Sequence, residues 1–188
     1  MSDTGEGKNS HPVRLWQMRD EYRELIGEAF RESFTSLEEG LSLERMIREI
    51  AENLSARYWD VNAAQILEAV KGSQAARGDQ VAGAFRKVTA ASVTYCVYSR
   101  CPGETKVDFE QEELSGISAY NTPRAVNALG KAVSTISTRI FRMIAAVTEA
   151  YEESFTESLE VKSETKDRTN VLRAEPAGKE GSNGESTF

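Results

Sequence analysis

Asn121–Leu159, NTPRAVNALGKAVSTISTRIFRMIAAVTEAYEESFTESL, decides the fold. Apolar residues fall at Val126, Leu129, Val133, Ile136, Ile140, Ile144, Val147, Tyr151, Phe155 and Leu159. The steps are threes and fours throughout, which is the pattern of one helix burying one stripe. Thr122 is placed to cap it and Pro123 to be its first residue. At about 1.5 Å per residue the rod would exceed roughly 50 Å.

The opposite face of this helix carries the charge. At about 100° per residue, Arg124, Lys131, Arg139 and Arg142 fall within roughly an 80° arc turned away from the apolar stripe. Ser134, Thr135 and Thr138 lie on or beside that arc. No Asp or Glu stands between Glu113 and Glu149, after which Glu152, Glu153, Glu157 and Glu160 follow quickly. An ordinary solvated face is one reading of such an arc, and a phosphate-facing stripe is the other.

The upstream chain reads as further helices. The first starts near Pro12, carries Val13, Trp16, Tyr22, Leu25, Ile26, Ala29, Phe30 and Phe34, and stops at Gly40. Its second half is acidic, with Glu21, Glu24, Glu28, Glu32, Glu38 and Glu39. Ser42 caps a second helix through Leu43, Met46, Ile47, Ile50, Leu54 and Tyr58. Trp59-Asp60 closes it, and a short third helix follows over Ala63–Val70 to Gly72. Asp79 caps a fourth, with Val81, Phe85, Val88, Ser92, Tyr95 and Cys96 on one side.

Strand competes with helix only at Ser92–Tyr98, which is rich in β-branched and aromatic residues. Helix to about Val97 is the favoured reading. A small hairpin over 93–109, returning through Thr105–Phe109 after the Pro102-Gly103 turn, is the alternative. Asp108 opens a short helix through Leu114, and Ser115–Tyr120 is loop. The expected architecture is therefore mainly all-α, a helical bundle organised on one long C-terminal helix. Residues 1–11 form a flexible tail, 12–161 one helical domain and 162–188 a flexible polar tail. Glu28–Thr35 (EAFRESFT) matches Glu149–Thr156 (EAYEESFT) at most positions, without extending into a repeat period.

Composition narrows the functions. The chain has 188 residues and a net charge of −7, which argues against general nucleic-acid affinity or an anionic membrane surface but leaves room for a local basic groove. No apolar run is long enough to span a membrane, and the first ten residues lack the apolar core of a signal peptide. Cys96 and Cys101 are the only cysteines and His11 the only histidine, so no zinc-ligand set can be assembled and two reduced thiols are expected. A nucleophilic Cys or Ser lacks a histidine base outside the tail, and no phosphate-cradling Gly-rich loop occurs. The reading is a non-enzyme without metal or cofactor.

A second acid-free stretch runs from Gln80 to Gly103 and carries Arg86, Lys87 and Arg100. With Arg124, Lys131, Arg139 and Arg142 these are the candidate phosphate contacts. Tyr95 and Tyr98 are candidate base-stacking groups, although aromatics at helical spacing more often belong to a core. Basic segments at one end of a bundle and acidic ones at the other suit a subunit that polymerises along a polyanion, since the acidic surface can meet a neighbour.

Three segments carry a resemblance: Arg124-Ala125-Val126-Asn127 through Ala132-Val133, Tyr151–Thr156, and Val81–Lys87. In them the chain resembles the coat proteins of rod-shaped and flexuous single-stranded RNA plant viruses. The rod-forming pattern carries an Arg before the Phe and a Glu after it, where this chain has Glu152 and Thr156. The resemblance implies a structural capsid subunit of virion and host cytoplasm that self-associates along single-stranded RNA by sequence-independent phosphate contacts. Charge alone leaves a second expectation open: a cytoplasmic helical adaptor, chaperone or regulator that engages a basic partner through the acidic first helix.

Overall fold

The structure is a computed structural model and describes Trp16 and residues 18–77, 80–101 and 114–173, with side chains as far as Thr156. Four α-helices make an all-α bundle: α1 (Asp20–Ser33), α2 (Leu43–Val70), α3 (Val81–Arg100) and α4 (Pro123–Arg173). Single 3₁₀ turns, Gln74–Arg77 and Gly116–Ala119, punctuate the connections. No strand occurs among the described residues. The chain divides into two units, Met1–Thr148 and Glu149–Phe188. The division falls where the charge changes sign.

The long helix starts as its sequence dictates. The Ala125 N–H donates to Thr122 Oγ1 at 3.3 Å and the Val126 N–H to the Thr122 carbonyl at 2.9 Å, so Thr122 caps and Pro123 leads. The buried line differs at its N-terminal end from the stripe read in sequence. Ala125, Leu129, Ala132, Ile136, Ile140 and Ile144 are buried, whereas Val126 is 57% exposed. Alanine carries little hydrophobic signal, but its small side chain lets helices approach closely, and packing selects it over the larger neighbour. The helix continues to Arg173, past Val161 where the apolar pattern stops.

Two upstream boundaries move. The helices read separately over Leu43–Tyr58 and Ala63–Val70 are one unbroken α2, capped by Ser42 Oγ, which accepts from the Arg45 N–H at 3.3 Å. No Gly or Pro stands between its ends. Asp60 does not cap a helix; it pairs with Arg86 at 3.1 Å. Asn62 sits in the stripe and donates its amide to the Tyr58 carbonyl at 2.8 Å, so the turn tolerates it. In α1 the helix ends at Ser33, before Gly40: Phe34 leaves helical geometry (φ −129°) and turns its ring into the core.

Residues 93–100 are helix, so the hairpin alternative fails on its first strand. Val93, Thr94 and Val97 are buried and Tyr95 is half exposed, the spacing of one helix face, whereas a strand would put Tyr95 on the same face as Val93 and Val97; the Thr94 hydroxyl bonds to the Ala90 carbonyl. The return segment 105–109, residues 108–113 of the next predicted helix, the Asp79 cap and the tail residues 1–11 lie outside the described residues. So do 174–188 and the side chain of Leu159. The helix read from Pro12 begins only at Asp20, with Trp16, Met18 and Arg19 non-helical before it.

The core has two clusters. One gathers Ile26 and Phe30 of α1, Met46, Ile47 and Ile50 of α2, Val93 and Val97 of α3, and Ile136, Ile140 and Ile144 of α4. The other gathers Trp59, Ile66 and Val70 of α2, Phe85 and Val88 of α3, Tyr120, and Ala125, Leu129 and Ala132 of α4. Phe85 lies between Trp59 (centroids 5.6 Å) and Tyr120 (6.1 Å). Tyr58 and Val133 pack against both clusters. The Gly116 turn closes on the second: a Cβ there would stand 2.6 Å from Val88 Cγ2, a fit only glycine allows. In the second unit, Tyr151 and Phe155 stack at 6.4 Å and Glu152 and Glu153 are exposed.

Candidate nucleic-acid interface

With one face of α4 committed to the core, the opposite arc stands in solvent. Arg124, Lys131, Arg139 and Arg142 are all exposed, with Ser134 and Thr138 exposed beside them. Among the described residues none of the four cations is in an ion pair. The Thr135 hydroxyl is engaged, donating to the Lys131 carbonyl at 2.7 Å. Arg124 and Lys131 border a groove of about 800 Å³ between α4 and α2, with Tyr58, Asn62 and Glu68 across from them. Among the described residues Glu68 is the one carboxylate lining it. A hydrogen bond from Lys71, then the charges of Lys71 and Arg124, hold that carboxyl below its usual range. Arg139 lies over the Phe34 ring, 5.8 Å from its centroid.

The other three basic candidates lie elsewhere. Arg86 bonds to Asp60 and sits 6.0 Å from the Trp59 ring, and Lys87 is exposed beside it on the α2/α3 side. Arg100 lies 4.5 Å over the Phe141 ring in a groove between α3 and α4. The seven residues therefore do not share one groove; four line one arc of α4 and three are divided between two further surfaces. Sequence segments free of acids marked where cations cluster along the chain, but not which helix faces they occupy.

The tyrosines divide too. Tyr98 donates its hydroxyl to the Glu44 carbonyl at 2.6 Å, and burial, followed by the Glu44 charge, pushes its ionisation well above the usual phenol range. Its hydroxyl ties α3 to α2. Tyr95 is half exposed and borders the α3/α4 groove, a cleft of about 670 Å³ that also displays Ile117 and Val126. Trp16 and Trp59 are core residues.

Burial raises both thiols, Cys96 upward and Cys101 to about 12, which disfavours the thiolate a nucleophile needs. Both cysteines are free. Among the described residues no cluster of three His, Cys, Asp or Glu side chains could hold a metal ion, and no helix is long and apolar enough to cross a membrane.

Acidic groups make the counterpart surface. Glu21, Glu24, Glu28 and Glu32 are exposed on α1, within roughly an 80° arc at about 100° per residue. Nearby, burial would raise the Glu44 carboxyl, but the hydrogen bond from Arg23 (2.6 Å) overrides it and holds the group below its usual range. One cation was not among the sequence candidates: Arg48, set among Glu44, Glu49 and Glu52, lines a pocket with Arg86 and Lys87. No family model, curated protein or solved structure matches the chain.

Proposed function

We propose that this chain is a non-enzymatic RNA-binding assembly subunit of the coat or nucleocapsid type, acting in the virion and the host cytoplasm. One observation carries the reading: four exposed cations on one arc of α4, none in an ion pair among the described residues. A phosphate backbone supplies repeated negative charge along a line, and such contacts position a strand without reading its bases. The exposed acidic arc of α1 supports self-association, since it gives a neighbouring copy a surface of opposite sign. Arg86 and Arg100 are not part of the stripe.

The test is the ratio of absorbance at 260 and 280 nm across a size-exclusion column at low and high salt. A large nucleic-acid-rich species that sheds RNA as salt rises is the expected result. A small, nucleic-acid-free species at both salts would refute it.

A second reading has its own support. The α3/α4 groove displays Tyr95, Ile117 and Val126, and among its lining residues only Arg100 is charged. That surface suits a helical interaction module with a protein partner, and the small nucleic-acid-free species would favour it.

A further inference from the structure

We infer that the α2/α3 pocket lined by Arg48, Arg86 and Lys87 is a binding site for a phosphate group, separate from the α4 stripe. The pocket holds about 340 Å³, at the lower end of the roughly 300–1,000 Å³ typical of small-molecule sites. Arg48 reaches it from α2, and Arg86 and Lys87 from the start of α3. Among the described residues Glu52 is the only carboxylate lining it, and Asp60 pairs with Arg86 from outside the lining, so the cations outnumber the anions by three to two. Ala90 and Ala91 keep its wall small and Thr94 completes it.

Arg86 supplies the second, independent sign. Its Nη2 is engaged by Asp60 at 3.1 Å, yet its Nε is buried and makes no hydrogen bond within the described protein. A buried guanidinium N–H without an acceptor is uncommon, and a turn of the head group toward the pocket would give it an anionic oxygen as partner. The Trp59 ring, 6.0 Å from the guanidinium carbon, adds a fixed wall on one side. Arginine donates in a fork that matches phosphate oxygens, while Lys87 adds a mobile point charge at the rim. Two half-buried arginines from different helices also cost less to order around an anion than surface lysines do. The ligand class is a phosphate monoester or diester, carried by a mononucleotide or by an RNA backbone. The inference does not rest on the role proposed for α4, because none of the α4 cations lines this pocket.

The experiment titrates the full-length protein with inorganic phosphate, with adenosine monophosphate and with a short single-stranded oligonucleotide, followed by amide chemical shifts. The variants are Lys87→Glu, at an exposed position, and Arg48→Gln, whose thermal melt is recorded alongside. Saturable binding of phosphate and the monophosphate, weakened at least tenfold in both variants and unchanged in Arg124→Glu, is the expected result and points to a mononucleotide. Binding of the oligonucleotide alone, with shifts of Arg86 and Lys87 that vanish in Lys87→Glu, also supports the site and points to an RNA backbone. No saturable shift at these residues with any of the three, or binding unaffected by Lys87→Glu, overturns the inference. Neither result bears on salt-dependent binding lost through Arg124 and Arg142, so the two proposals fail separately.

Discussion

Replacing Arg142 by Ala gives a quantitative test of the α4 stripe. Arg142 is exposed and in no ion pair among the described residues, so its charge is available to a phosphate. Each phosphate neutralised on a single strand contributes about −0.7 to the slope of log K against log salt. Four contacts from Arg124, Lys131, Arg139 and Arg142 give a slope of about −2.8, a loss of roughly 50-fold in affinity between about 50 and 200 mM salt. Arg142→Ala lowers that slope to about −2.1 and the loss to roughly 20-fold. Arg100→Ala leaves it unchanged, because that guanidinium sits against Phe141 on another surface. The assay is fluorescence anisotropy of a labelled single-stranded RNA at a series of salt concentrations. An unchanged slope in Arg142→Ala, or an equal drop in Arg100→Ala, refutes the assignment of the stripe.

Three further outcomes test the fold beneath it. Phe85→Ala empties a fully buried position between Trp59 and Tyr120 and should cost about 3–5 kcal/mol, read by urea denaturation. Gly116→Ala forces a Cβ against Val88 and should cost about 1–3 kcal/mol, with partial rescue by Val88→Ala in a thermal melt. Glu44 ionises below its usual range in the folded chain, so its stabilising contribution is present above the unfolded carboxyl value of about 4.3 and disappears as pH falls through the lower folded value. In Glu44→Gln that part of the acid sensitivity should be absent, whereas an acid unfolding curve unchanged from wild type would show that the Arg23 pair contributes nothing.

What the sequence made legible was local. Thr122-Pro123 and a stripe in threes and fours fix the start and identity of α4 without knowledge of the rest, and Ser42 does the same for α2. What it hid depends on partners distant in the chain. Trp59-Asp60 resembles a helix end until Asp60 is seen to answer Arg86 from another helix and Trp59 to meet Phe85. Val126 outranks Ala125 on any hydrophobicity scale, yet closeness of packing buries the alanine. At the candidate site, four basic residues on one helix could be placed by their period. Arg86, Lys87 and Arg100 could not, and Arg48 was masked by the acids around it, because only helix packing shows which face of α2 meets α3.

The unbroken course of α2 has a consequence for how the bundle opens. A break at Trp59-Asp60 would have left only α3 and α4 running through both core clusters, a looser link between them. One helix that supplies Met46, Ile47 and Ile50 to the first and Trp59, Ile66 and Val70 to the second ties their fates together. Disordering either cluster strips half of α2 of its tertiary support, and a helix is held in water chiefly by such support. The slowest-exchanging amides along α2 should then form one block through residues 47–66, released together in global unfolding and not in stages.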